Sequence, residues 1–379
     1  MNLRSIVPIA LLASAALAHH AAAVTFTATV IDPNAPAQIW GKGVGDLDDD
    51  GLSDLVVGSR VGGLYWYQNP GWTKRAISAT AKIEEDMAVI DLDKDGRRDV
   101  VAVANISSNG TTRRALTWFR NTGSGWEARD LVTGVDFHDV EVSDLDGDGK
   151  LDLVARNQGT TGNILYLWRQ VSLTEWTPTT IALPVGGEGL ARADIDRDGK
   201  GDLVIGEYWF RNTSEPGTLS FTRYLYNLAA SMDSYVAVGD VNGDGRVDIV
   251  TSPAEPAGKY HQILWFEAPA NPYGGWARRV IQNNVERVTH FVGTADLDLD
   301  GDLDVATALT QKAANPQIKL HLNTDGKGAF ANPPTIIANA SSHSMKFVRV
   351  GTDAGLSLFG ADYATPTRTP VMLYRWTAD

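Results

Sequence analysis

The chain has no cysteine, and its 379 residues include only 33 lysines and arginines against 46 acidic residues. Without cysteine it cannot use the disulfides that often brace exported proteins. A formal charge of −13 excludes the basic footprint that nucleic acid requires. Beyond the first two dozen residues no apolar run is long enough to cross a bilayer. The common catalytic signatures are missing too: there is no Gly-x-Ser-x-Gly elbow, no His-Glu-x-x-His and no phosphate loop.

The first residues read as a secretory signal. Arg4 supplies the positive charge, and Ile6 to Leu17 form an apolar stretch too short for a membrane span. Ala16-Leu-Ala18 and Ala21-Ala-Ala23 both fit a cleavage site. The expectation is a signal peptide over 1–23 and a mature domain over 24–379, secreted, periplasmic or held at the cell surface.

What the chain does have is one acidic loop, written six times. The copies place acidic or amide side chains at positions 1, 3, 5 and 9. These are Asp46, Asp48, Asp50 and Asp54; Asp91, Asp93, Asp95 and Asp99; Asp144, Asp146, Asp148 and Asp152; Asp194, Asp196, Asp198 and Asp202; Asp240, Asn242, Asp244 and Asp248; and Asp296, Asp298, Asp300 and Asp304. Carboxylates this close repel one another unless a hard cation sits among them. Calcium takes six to eight oxygens in a forgiving geometry, so up to six calcium ions are expected. Position 6 is glycine in all six copies, where the chain must turn sharply. Position 7 varies (Leu52, Arg97, Lys150, Lys200, Arg246, Asp302). That fits a backbone carbonyl ligand whose side chain points away. Asn242 should make the fifth site weaker. Position 12 is never the bidentate Glu of an EF-hand. Strand-forming residues follow position 9 at once, so each loop joins two strands. Six divalent ions would nearly cancel the formal charge, so the acidity says nothing about a basic partner.

The first aspartates fall at 46, 91, 144, 194, 240 and 296. A period near fifty residues points to a propeller or solenoid. Each unit holds four short apolar segments, which predicts a four-stranded antiparallel blade. In the first unit they are Ile39–Gly45 (A), Leu55–Ser59 (B), Leu64–Gln68 (C) and Trp72–Ile77 (D). Aromatic residues recur in strand C (Trp66, Trp118, Trp168, Trp209, Trp265) and at the start of strand D. Their fixed place in the repeat marks them as packing between neighbouring sheets. A seventh unit supplies A, B and C and then ends, while Phe26–Ile31 matches strand D. The first strand should therefore complete the last blade and close an all-β, seven-bladed ring. The seventh unit keeps a single loop carboxylate, Asp353.

These loops, the apolar strand that follows them and the aromatic strand C resemble the FG-GAP and VCBS repeat families. Those families include the calcium-binding blades of integrin α-subunits and a seven-bladed mushroom lectin. The FG and GAP tripeptides are mostly missing, with only Phe359-Gly-Ala361 close. The resemblance implies a calcium-binding propeller whose metal loops share one face. The long B–C connections, Ala104–Arg114, Pro253–Gln262, Thr310–Gln317 and Ala361–Pro370, then lie on the opposite face, where ligands are expected.

A second recurring position lies six residues before each loop's first aspartate, at the mouth of the central channel. It holds Trp40, Glu85, His138, Glu188, Ser234 and His290, with His343 in the seventh blade. Glu85, His138, Glu188, His290 and His343 are the candidate ligand-binding residues. They read either as a transition-metal or acid–base site or as a polar rim hydrogen-bonded between blades. Spacing round seven blades favours the rim, because it should hold alternate members far apart. The expected function is an exported recognition or adhesion module for an extracellular glycan or protein. The alternatives are a polysaccharide lyase or hydrolase acting through the channel-mouth histidines, and a structural surface-assembly protein.

Overall fold

A computed structural model describes residues 24–108, 111–134, 137–157, 163–184, 186–254, 262–286, 288–363 and 369–378. Among them there is no helix and there are twenty-eight strands. They pair into seven four-stranded antiparallel sheets. Six blades are consecutive in sequence, each following strand order A-B-C-D. Blade one is Ile39–Gly45, Asp54–Ser59, Leu64–Gln68 and Thr73–Ser78.

The seventh blade closes as the sequence predicts. Ser344–Val348, Ser357–Ala361 and Val371–Ala378 are its inner strands, and Val24–Asp32 pairs antiparallel along the last of them. Pairing runs from Val24 opposite Ala378 to Asp32 opposite Val371. Both edges of the chain are thus consumed in one sheet, which leaves no open seam.

The core is divided among the interfaces between blades. Seven apolar clusters each draw on two neighbouring sheets. Strand B is buried along its whole length in blades one and three to seven, and over Asp99–Ala104 in blade two, because a sheet covers it on both faces. The strand C tryptophans Trp66, Trp118, Trp168, Trp209 and Trp265 are all buried in these clusters, as packing residues should be. Strand A is pinched at the axis. A Cβ on Gly41 or Gly43 would lie within 2.8 Å of Met87 or Val89 of the next blade.

The connections differ in part from expectation. Ala104–Arg114 is no open loop, for strands Asp99–Ser108 and Thr111–Asn121 pair as far as Ser108 opposite Thr111. Thr310–Gln317 does bridge two strands. The tips of the two remaining long connections, 255–261 and 364–368, and the proposed signal segment 1–23 lie outside the described residues.

Candidate functional site

Two constellations carry the chemistry, one at each end of strand A. The six acidic loops leave one end. In all six the residue at position 2 (Leu47, Leu92, Leu145, Ile195, Val241, Leu297) is buried and anchors the loop to the core. Position 6 glycine is left-handed, with φ between 82° and 96°. Position 4 is left-handed as well. It is glycine in loops three and five but Asp49, Lys94, Arg197 and Leu299 in the others, where the conformation is strained. The turn forms because the position 1 carboxylate accepts the amide of Gly51 or its equivalent, at 2.8–3.1 Å in all six loops.

The position 9 aspartates are fully buried, and both oxygens accept backbone amides. Asp54 takes Leu47 N at 2.9 Å and Asn69 N at 2.8 Å. The same pair recurs at Asp99, Asp152, Asp202, Asp248 and Asp304. Position 9 therefore ties the loop base to the end of strand C, besides any role as a ligand.

The structure gathers the predicted ligands unevenly. Oxygens of positions 1, 3 and 5 lie within 4.8 Å of one another in loops one and six, and those of positions 1, 3 and 9 in loops two, three and four. In those three loops the position 5 carboxylate is drawn aside, Asp95 by Arg97 and Arg120, Asp148 by Lys150, and Asp198 by Arg211. The expectation that position 7 side chains point away is corrected accordingly. Arg97, Lys150 and Arg246 fold back onto the position 5 carboxylate, since the nearest anion attracts a flexible cation. Lys200 reaches Ser214 O and Glu215 instead. Loop six fits a cation best. Asp296 Oδ1, Asp298 Oδ2 and Asp302 Oδ1 are buried with no hydrogen-bond partner, and an all-oxygen donor set suits calcium.

Crowding and burial set the charge of these groups. Burial raises Asp54 and Asp202 to about 7 and Asp304 to about 8, against the pull of their backbone hydrogen bonds. Burial and then Asp300 raise Asp302 to about 7. A carboxyl group whose folded pKa exceeds its unfolded value stabilises the fold when protonated. That contribution is lost as pH rises through the folded pKa. Lys42, lowered to about 7 by burial, opposes the trend, as do His321 and His343, lowered by burial, at the lower end of the range. The metal-free protein should therefore lose stability from pH 6.5 to 8. Melting curves in chelator across that range check this, and a melting temperature that rises with pH contradicts it.

Sequence reading missed one recurrent device. The residue closing strand C reaches back to the previous blade's loop and clamps the carbonyl of position 2. Asn121 Nδ2 donates to Leu47 O at 2.9 Å, Asn212 Nδ2 to Leu145 O at 2.8 Å and Asn323 Nδ2 to Val241 O at 2.9 Å. Asn69 makes the matching contact to Arg349 O in the degenerate loop of blade seven, and Trp376 Nε1 reaches Leu297 O. The legible signal was asparagine two residues after the strand C aromatic pair, as in Trp118-Phe-Arg-Asn121. Asn212→Ala is expected to cost about 1–3 kcal/mol, the penalty for buried groups left unpaired. Denaturant unfolding measures it.

At the other end of strand A lies the channel mouth. Four blades carry a register shift there, bracketing Trp40, Glu85, His138 and His290. A bulge leaves its extra residue out of the ladder and re-aims the side chain. The outcome differs from the separation expected of alternate blades. His138 Nε2 lies 3.4 Å from Glu85 and 3.5 Å from Glu188, and its Nδ1 lies 3.3 Å from Asp139. Glu188 also contacts His290 at 3.9 Å and is hydrogen-bonded by Tyr235. The rings of His290 and His343 are 5.0 Å apart, and those of His343 and Trp40 are 4.9 Å apart. Arg60 sits over Trp40 and pairs with Glu84 at 2.9 Å, and Arg114 joins Glu85 at 3.3 Å. Contacts thus run right round the mouth and link each blade to its neighbour. They enclose a cavity of about 290 Å³ lined by Trp40, Glu85, His138, Tyr235, His290 and His343.

Burial opposes charge on His138, but Glu85, Asp139 and Glu188 outweigh it and hold its pKa well above the usual value. His343 is driven well below its usual value by burial and then by His290. The mouth therefore favours the charged form of His138 and the neutral form of His343. Among the described residues, clusters of three or more metal-ligating side chains within 4.8 Å occur only in the loops.

Comparisons with known proteins agree with this architecture. The FG-GAP-like repeat profile matches residues 46–102, 91–155 and 144–205, each spanning from one metal loop to the strand after the next. No curated protein matches the chain significantly. A crystal structure described as BBS1N in complex with ARL6DN, soaked with mercury, aligns with a TM-score of 0.55 at 10% identity. It covers 94% of this chain and 99% of that one, a likeness of fold. AofleA from Arthrobotrys oligospora aligns with a TM-score of 0.43 at 11% identity, over 83% of this chain and 90% of that one. The chain is a seven-bladed β-propeller that carries three FG-GAP-like repeats within residues 46–205.

Proposed function

We propose that this protein is an exported recognition module whose blades are held by calcium and which binds an extracellular glycan or protein. The observation that carries the reading is the division of labour between the two ends of strand A. One end supplies six loops of oxygen donors, with buried unpartnered carboxylate oxygens in loop six. The other opens on a cavity of about 290 Å³ with aromatic and hydrogen-bonding walls, a size near the lower bound for small-ligand sites. A rigid ring with a structural face and a varied opposite face is the arrangement on which binding loops commonly sit. When bound, calcium would neutralise the aspartates of positions 1, 3 and 5. The chain's own contribution is to hold those oxygens through the position 9 and strand C contacts.

The test is a glycan array and an extracellular-protein pull-down with calcium present. Binding that is lost in His343→Ala, at unchanged melting temperature, supports the mouth as the site. Binding that survives that change and is lost on altering the metal face refutes it.

A second reading is favoured by the meeting of Glu85, His138 and His290 around one cavity, with Glu188 in contact with both histidines. Those groups suit proton transfer on a polysaccharide. New chain ends released from an extracellular polysaccharide, and abolished in His343→Ala, would establish it in place of simple binding.

A further inference from the structure

We propose that the six loops do not share calcium equally: arginines built into blades two and four, Arg120 and Arg211, stand in for part of the ion's charge, so loops two and four hold it weakest and loop six fills first. This rests on the calcium reading above and adds an order of occupancy to it.

The first observation is a single position in strand C, the residue before the clamp. In blade two it is Arg120, with Nε 2.5 Å from Asp93 and Nη2 3.0 Å from Asp95. In blade four it is Arg211, with Nε 2.5 Å from Asp196 and Nη2 3.0 Å from Asp198. Each guanidinium thus grips the carboxylates of positions 3 and 5, two of the ligands an ion would need. The same position is Gln68 in blade one, Glu267 in blade five and Leu322 in blade six. Arg169 of blade three approaches only Asp148, at 3.8 Å.

Blade seven shows where such a substitution ends. Its loop has lost every carboxylate but Asp353. Arg375, at the same strand C position, donates to both oxygens of Asp353 at 2.9 and 2.8 Å. There a fixed guanidinium neutralises the one carboxylate that remains. Planar, permanently charged arginine suits that role better than lysine.

The second observation is independent. The clamp from the following blade reaches loops one, three, five and six. Among the described residues it does not reach loops two and four. The residues that would supply it are Gln170, whose Nε2 has no partner, and Ala268, which has no donor. The two loops that hold an arginine are therefore the two that lack this clamp, and their outside contacts are of another kind: Lys94 of loop two donates to Gly149 O, and Tyr273 of blade five donates to Asp196 of loop four at 2.8 Å. A site whose ligands must first release a guanidinium and then be ordered binds more weakly than a preorganised one.

Loop six is the opposite case. Leu322 offers no competing charge, Asn323 holds the preceding loop and Trp376 holds loop six itself. Asp302 adds a fifth aspartate, and Asp298 is 2% exposed with Oδ2 unpartnered. Such a buried, unsatisfied acceptor costs free energy until a cation arrives. On lowering calcium, loops two and four should therefore empty before loop five, despite Asn242.

Native mass spectrometry of the chelator-stripped full chain, titrated with calcium, reads the order. Asp298→Asn should remove the first ion bound. Arg120→Met and Arg211→Met should each move one late ion to an affinity about tenfold higher, and the double variant should move two. Melting curves at saturating calcium verify that each variant folds. If both arginine variants leave the late ions unchanged or weaken them, or if Asp298→Asn spares the first step, the order is wrong. Loading in a single undifferentiated class overturns this proposal alone. A stripped protein that takes up no calcium at saturation overturns the calcium reading and the order with it.

Discussion

Exhaustive removal of divalent ions should lower the melting temperature by on the order of 10–20 °C. The expectation follows from placement. Each acidic loop joins strands A and B, and position 2 of every loop is buried in an interface between blades. A site held at a hundredfold excess of ion over its dissociation constant contributes about 2.7 kcal/mol. Several such sites acting on one cooperative ring add up, and without ions the loop carboxylates repel one another at short range. Calorimetry before and after dialysis against chelator, with elemental analysis of the starting protein, is the measurement. Equal stability in both states, or no metal at the outset, would remove calcium from the account.

A second large effect is expected from Asp202→Ala, measured in chelator so that ion loss does not contribute. Asp202 is fully buried and accepts Ile195 N at 2.9 Å and Asn212 N at 2.7 Å. Alanine leaves both amides without acceptors where water does not reach. Each orphan costs about 1–3 kcal/mol, so the loss should be about 3–5 kcal/mol. Asp202→Asn keeps one acceptor oxygen and should lose less. A fall below about 1 kcal/mol in denaturant unfolding would show that the amides find other partners. The same bonds recur in the other five loops, so Asp99→Ala should behave alike.

The architecture was legible in the sequence because its determinants are local and repeated. Ile39–Gly45 and Leu64–Gln68 have the same bounds in the structure as in the pattern, and Val24–Asp32 fills the missing strand of blade seven. Six copies of one loop fix the period. The alternation of short apolar segments fixes the blade, and the match of Phe26–Ile31 to strand D points to the closure that the pairing with Val371–Ala378 bears out. The aromatic residues of strand C carried their own explanation, since burial between sheets is the use of a large side chain at a fixed register.

The clamps and the mouth were less legible, for a different reason. Asn212 and Leu145 are 67 residues apart, and only curvature of the ring brings the end of one strand C to the previous loop. At position 9 the sequence shows a carboxylate but not the two amides that converge on it. Nothing in the sequence singles out Arg120 or Arg375, because only antiparallel pairing sets them beside the loop aspartates.

From the sequence alone came the number of blades, their closure and the oxygen-rich loops, because those depend on residue type and period. Only the tertiary structure decided how the mouth residues meet. Bulges at Trp40, His138 and His290 turn side chains toward a shared axis. A linear pattern cannot show that convergence, since the distance between blades across a closed ring bears no relation to their separation along the chain.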